Sequence, residues 1–251
     1  MVGRWPPPDR EIEWNALVIN RTLFHSVRMS SEPSRAYNSP RRQMQAAQTR
    51  SAVLDAATRL FGELGWAATS MRGVAKAAGV SMETVYAGFG SKGDLLAAVM
   101  DVAVVGDDLP VPLAQRDSAL ALGSGSPEER ASKAAGLASA ISSRTCDLIQ
   151  ALAQGAATDD SLAQRLAALD ERRRDEIAVY FQQVTSRTPT PQELDEVWLL
   201  TSAEVFHLLV HRSDWTAEQY EQWLTRSLLR FVETDSGGAA TGITDDPRKG
   251  L

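Results

Sequence analysis

Beyond residue 50 the apolar residues recur every three to four positions, and polar or glycine punctuation separates the runs. Val53, Leu54, Ala57, Leu60, Phe61 and Leu64 fall at offsets 0, 1, 4, 7, 8 and 11, one face of a helix that Gly65 should stop. Thr69 or Ser70 caps a second helix carrying Met71, Val74, Ala75 and Ala78, which Gly79 ends. Ser81 caps a third, METVYA, stopped at Gly88 after barely two turns. Ser91 caps a fourth that runs through Leu95, Leu96 and Val99 to about Val105. The third helix cannot stand alone in water, because nucleation costs more than two turns return. It must be held from behind, and its outer face must have a use.

Gly106, Pro110 and Pro112 then break the pattern, and the linker to about Gly125 has room for a short helical piece around residues 114–121. Ser126-Pro127-Glu128-Glu129 and Thr190-Pro191-Gln192-Glu193 each combine a cap, a proline at the first helical position and a reciprocal glutamate. Thr216 and Gln219 form a third capping box. Leu162, Leu166, Leu169, Ile177, Tyr180, Phe181 and Val184 mark a long helix from near Asp160. Leu194, Val197, Trp198, Thr201, Val205, Leu208 and Leu209 mark the next, and Tyr220, Trp223, Leu224, Leu228, Phe231 and Val232 the last. No stretch alternates with period two, so the fold class is all-α.

Proline and turn formers (Pro6-Pro7-Pro8, Pro33, Pro40) make residues 1–44 read as a disordered extension, although Trp5, Trp14, Leu23 and Phe24 also suit a docked segment. A natural start at Met29 or Met44 is expected, with the earlier residues an over-extended reading frame. The expected division is 45–105, 106–233 and a disordered tail at 234–251.

Charge sharpens this division. The net charge of −6 is split as +4 over residues 1–50, zero over 51–100 and −10 over 101–251. A neutral-to-basic front on an acidic back implies two modules with different partners. The single cysteine, Cys146, excludes an internal disulfide framework and fits a reducing compartment. The start has no signal-peptide pattern and no apolar run reaches bilayer length, so a cytoplasmic protein without a membrane partner is expected.

The second helix, the tight turn at Gly79-Val80 and the third helix have the spacing of a helix-turn-helix. Ala75 is small enough for a close crossing, and Val80 and Val85 plug the space beneath. The front of the third helix then presents Met82, Glu83, Thr84 and Tyr86, where a recognition helix meets a major groove. TRSAVLDAATRLFGELGWAATSMRGVAKAAGVSMETVYAGFGSKGDLLAAVM also resembles, over about fifty residues, the N-terminal DNA-binding domain of TetR-type transcriptional regulators. The likeness runs in order through AA-x-x-LF, Gly65-aromatic, Thr-Ser, AGVS, Val-Tyr-x-x-Phe, Ser-Lys and Leu-Leu.

That resemblance implies an N-terminal three-helix helix-turn-helix domain, followed by a C-terminal helical ligand-binding and dimerisation domain. It implies Thr69, Ser70 and Arg72 as phosphate-holding groups, and Ser81, Met82 and Thr84 at the groove. Tyr86 and Lys92 are implied as phosphate contacts. The chain departs from the pattern at Gly88, where many members carry a phosphate-contacting side chain. The third helix also lacks Arg, Asn and Gln, so specificity leans on Arg72, Glu83 and DNA shape. Arg35, Arg41, Arg42 and Arg50 suit either an arm on the DNA or a solvated tail.

The expected function is a ligand-responsive regulator, in the family a repressor, that binds a pseudo-palindromic operator as a homodimer through its last two helices. A small molecule would release it from a cavity lined by Arg144, Cys146, Ile149, Phe181, Trp198, Ser202 and Phe206. No catalytic constellation and no cofactor motif appears, so no enzyme activity is expected. Glu204, His207 and His211 at i, i+3 and i+7 suit a metal, but ordinary packing uses the same spacing, and no metal is expected there. The alternatives are a helical dimer acting through protein partners, or a helical enzyme or metal-binding protein using those three residues.

Overall fold

The computed structural model describes residues 40–233, and among them there is no strand. The expectations for residues 1–39 (docked segment, alternative start, Arg35) and for the tail at 234–251 lie outside the described residues. Helix α1 spans Pro40–Ala68, so it begins inside the stretch expected to lack structure as far as residue 44. Gly65 (φ 69°, ψ −173°) breaks the helical backbone as expected, and a short helical piece continues beyond the kink to Ala68. The kink leaves the neighbouring Leu64 exposed instead of on the core face. The backbone N–H of Trp66, just past the kink, donates to Gln154 Oε1 at 3.3 Å, and its ring stacks on Phe61.

Helices α2 (Met71–Ala78), α3 (Met82–Phe89) and α4 (Lys92–Val105) follow at the expected places. A linker with a short α-helical turn, α5 (Asp117–Leu120), between two 3-10 turns (Leu113–Gln115 and Ala121–Gly123) leads to α6 (Pro127–Ala156) and α7 (Asp160–Thr185). The three capping boxes close as the sequence requires: Ser126 with Glu129, Thr190 with Glu193, and Thr216 with Gln219. The helix expected across Leu194–Leu209 is divided. Helix α8 (Pro191–Leu200) stops, Ser202 turns extended (φ −74°, ψ 147°), and its hydroxyl caps α9 (Ala203–Phe206). A π-helical turn continues over His207–Arg212, and α10 (Ala217–Glu233) completes the body.

Two apolar cores form. The first joins Val53, Leu54, Phe61, Val74, Val85, Leu95 and Val99 to Leu148 and Leu152 of α6 and Leu162 of α7. The second gathers Ile177, Phe181, Phe206, Tyr220, Leu224, Leu228 and Phe231 around Cys146. Helix α6 runs through both. Its buried face is Ala131, Ala135, Ser139, Ser142, Thr145, Cys146, Leu148, Ala151, Leu152 and Gly155. Such small side chains let neighbouring helices approach closely, and dense contact rather than bulk provides the dispersion energy there.

Candidate nucleic-acid interface

The turn between α2 and α3 is built from backbone bonds that any chain of this pattern can make. Gly79 adopts the left-handed conformation (φ 69°, ψ 27°). Its N–H donates to Lys76 O, while Val80 N–H reaches back to Ala75 O at 3.0 Å. These two bonds satisfy carbonyls that the end of α2 would otherwise leave open. Ser81 Oγ then accepts the Thr84 N–H and starts α3. Val85 is the only fully buried side chain of α3; Met82 and Phe89 flank it, half-buried against the first core. The short helix is therefore supported along one edge only.

At 100° per residue, the remaining arc of α3 runs from Tyr86 through Glu83 and Ala87 to Thr84 and Gly88. All five are exposed, Tyr86 at 47%. Met82 thus lies at the edge of the presented face, whereas Glu83 and Ala87 lie at its centre. Ala87 was not singled out from the sequence, though its distance from Val85 along the helix would have found it. The Glu83 carboxyl is held below its ordinary range by its own backbone N–H and the Ser81 hydroxyl, so it stays ionised on this face. The Thr84 hydroxyl lies 3.1 Å from Ser81 Oγ, an interaction that fixes its rotamer.

Basic groups lie on α2 and at the start of α1, the elements that adjoin α3. Arg72 and Lys76 are exposed one turn apart on α2, whose N-terminus is capped by Ser70. Lys76 is a residue that the sequence reading did not single out. Arg41 and Arg42 are exposed in the first turn of α1, which carries no acidic residue. Cations at a helix N-terminus oppose the helix dipole, so their placement does not serve the helix itself. Arg50 is exposed but engaged within the chain: its guanidinium lies over the Phe89 ring at 5.0 Å and donates to Asp108 at 3.2 Å. Between the front of α1 and α3 runs a concavity of about 550 Å³ lined by Arg42, Gln45, Thr49, Arg50, Thr84, Gly88 and Phe89.

Two expected phosphate ligands have other partners here. Thr69 is buried, and its hydroxyl donates to the carbonyls of Leu60 and Gly65. It ties off the α1 kink and leaves capping to Ser70. Lys92 donates to Trp66 O, and its ammonium sits 4.0 Å from the centre of the Trp66 ring. Burial also pulls the Lys92 pKa below its ordinary value. An ammonium has three donors, so the Trp66 carbonyl leaves two.

The residues expected around a ligand are spread over different tasks. Arg144 donates to the carbonyls of Ala103 and Val104, capping the end of α4. At the other end of α4, Arg165 of α7 pairs with Asp94. Burial pushes the Asp94 carboxyl up, but the Ser91 hydroxyl and Arg165 outweigh it and leave it below its usual range. Ile149 is half-buried against both cores, and Ser202 is the buried cap of α9. Cys146, Phe181 and Phe206 lie in the second core, with Phe206 edge-on to Tyr220. Trp198 packs at the edge of that core, with the guanidinium groups of Arg173 and Arg174 over its ring. Its indole Nε1 is buried with no acceptor among the described residues.

Residues 53–99 match the family described as bacterial regulatory proteins, tetR family. Over 59 residues the chain is 39% identical to the HTH-type transcriptional regulator AcrR of Shigella flexneri, a match spanning 24% of this chain and 27% of that protein. The chain thus covers about a quarter of the length of this curated relative. A putative TetR-family transcriptional regulator from Rhodococcus sp. superposes with TM-score 0.57 at 19% identity, over 74% of this chain and 99% of that one. A TetR-family member from Streptomyces coelicolor A3 gives TM-score 0.50 at 21% identity, over 71% and 96% of the two chains. At these identities the likeness is one of fold. Residues 53–99 therefore form a helix-turn-helix that matches the tetR family, joined to a helical body whose fold is that seen in the structures of such regulators.

Proposed function

We propose that the protein is a transcriptional regulator that binds double-stranded DNA as a homodimer and is released by a small molecule. The supporting observation is the exposed arc of α3, held by Val85 and the Gly79 turn, with Arg72 and Lys76 exposed on α2 and Arg41 and Arg42 exposed at the start of α1. The α3 helices of the two copies enter successive major grooves of a pseudo-palindromic operator. Tyr86, Ser70, Arg72 and Lys92 contact phosphates, while Thr84, Met82 and Ala87 meet base edges, the apolar ones at thymine methyls. Residues 45–105 carry this task and 106–233 carry dimerisation and ligand binding. With DNA as its partner, the protein works in the cytoplasm of a bacterial cell.

Helix α4 is the lever in this reading, because both its ends are held from the other half: Asp94 by Arg165 and the last carbonyls by Arg144. A ligand that favours another placement of α6 or α7 moves α4, and with it the separation of the α3 helices; only such differential affinity shifts the equilibrium. The unpartnered Trp198 Nε1 is the donor best placed to meet a ligand acceptor.

Fluorescence anisotropy on the purified chain with DNA from upstream of its own gene, over a series of salt concentrations, tests the reading. Binding should weaken linearly with the logarithm of salt concentration. Lys92→Ala and Arg72→Ala should each lower the slope by about one, whereas Thr84→Ala should change sequence preference instead. A slope indifferent to both cations removes α2 and the front of α4 from the interface.

A further inference from the structure

The π turn at His207–Arg212 brings together groups that the α-helical spacing of the sequence did not. His211 meets Cys146 of α6, 65 positions away, with its Nε2 3.6 Å from the sulfur. Asp147 Oδ1 lies 3.7 Å from the same sulfur. The donor atoms of Cys146, Asp147 and His211 all fall within 4.8 Å of one another. Glu204, the carboxylate expected to complete a set with the two histidines, is not part of this group.

We propose that Cys146, Asp147 and His211 form a three-ligand site for a borderline divalent cation of the zinc type, with the fourth position open. Zinc–sulfur and zinc–nitrogen bonds of about 2.3 and 2.0–2.1 Å at a tetrahedral angle separate sulfur and nitrogen by roughly 3.5 Å. The observed sulfur–nitrogen distance fits that geometry with little movement. Thiolate and imidazole donors suit zinc, cobalt or nickel, while a single carboxylate oxygen is too little for magnesium or calcium. Charge also balances: one thiolate, one carboxylate and a neutral imidazole neutralise a divalent ion.

The imidazole is held in place beforehand. His207 stacks on His211 with ring centroids 5.2 Å apart and 25° between planes, and Phe206 packs on the same ring at 6.1 Å. His207 Nδ1 is buried and has no partner among the described residues, which leaves a polar atom without a hydrogen bond beside the cluster. Cys146 is buried, whereas Asp147 and His211 are exposed, so a cation can enter from solvent and meet sulfur last. Burial and the charge of Asp147 push the free thiol up to about 11, so it is protonated at neutral pH. Binding then forms the sulfur–metal bond and releases the thiol proton to water, which makes affinity rise with pH.

The test uses full-length protein stripped of metal with a chelator and titrated with Co²⁺, then with Zn²⁺ in competition. Wild type should develop thiolate-to-cobalt charge-transfer absorption that Zn²⁺ abolishes, and Zn²⁺ should raise its melting temperature. Cys146→Ser should remove the absorption. Asp147→Asn and His211→Ala, both at exposed positions, should weaken binding at least about tenfold. Glu204→Gln should leave binding unchanged. Absence of the charge-transfer band in wild type overturns the proposal and leaves an ordinary thiol–imidazole hydrogen bond. Binding that survives both Asp147→Asn and His211→Ala overturns it as well.

Discussion

At the scale of single residues, two glycines nine positions apart in sequence have opposite roles. Gly79 needs its left-handed backbone to turn α2 into α3, so Gly79→Ala should cost roughly 1–2 kcal/mol. Gly88 lies within α3, and a methyl group added there meets nothing within 4 Å. Gly88→Ala should therefore stabilise by about 0.5–1 kcal/mol, read as a higher melting temperature. A loss of stability there would show that α3 needs the glycine's freedom. Thr69 separates a structural from a DNA-contacting role: Thr69→Val keeps shape but leaves the carbonyls of Leu60 and Gly65 without its hydroxyl. It should destabilise by roughly 1–3 kcal/mol and leave the salt slope of DNA binding unchanged. A lower slope would return Thr69 to the phosphate contacts.

At the scale of elements, caps and ion pairs fix where helices begin and how they are tied together. Glu193 caps α8 through Thr190 and accepts a two-pronged bond from Arg187, at 2.9 and 2.6 Å. Arg187 first, with the Thr190 backbone N–H behind it, lowers the Glu193 pKa from 4.5 to about 2. A carboxylate depressed in the folded state adds stability that is present above the unfolded pKa and lost as pH falls through the folded one. Between pH 4.5 and about 2, then, the wild-type melting temperature should fall more steeply than that of Glu193→Gln. Parallel acid limbs would remove the pair from the acid response. The same kind of tie decides how α4 sits, since Asp94–Arg165 and Arg144 hold its two ends to α7 and α6.

At the scale of the whole molecule, the described residues leave apolar side chains that none of them covers. Leu199 and Leu208 on the α8–α10 side are 55% and 50% exposed. Trp215 and Trp223 are half-buried nearby and meet edge-on. Where exposed apolar side chains of this kind adjoin, they offer a second copy a surface to pack on. The double variant Leu199→Glu, Leu208→Glu should shift a dimer to monomer in light scattering while leaving the circular dichroism unchanged, since neither side chain supports the core. A dimer that persists would move the contact away from these positions.

Much of this protein was legible from sequence because much of its construction is local. Ser81, Ser91, Ser126, Thr190 and Thr216 cap helices through bonds that span three residues, and the Gly79 turn closes within six. The all-helical class and the outward edge of α3 follow from apolar spacing alone. What the pattern could not carry is contact between distant segments. Helix α6 buries a face made mostly of alanine, serine and threonine, with Leu148 and Leu152 its only large apolar members, too sparse a stripe to read, yet it runs through both cores. Thr69 reads as a polar cap but is buried, because the Gly65 kink places two carbonyls where only its hydroxyl reaches. The chain breaks at Ser202, whose hydroxyl closes a cap on α9 where the apolar spacing continues unbroken from Leu194 to Leu209. The meeting of Cys146 with His211 depends on the π turn and on how α6 lies against it. Local hydrogen bonding fixed the elements; packing alone decided which side chains became neighbours.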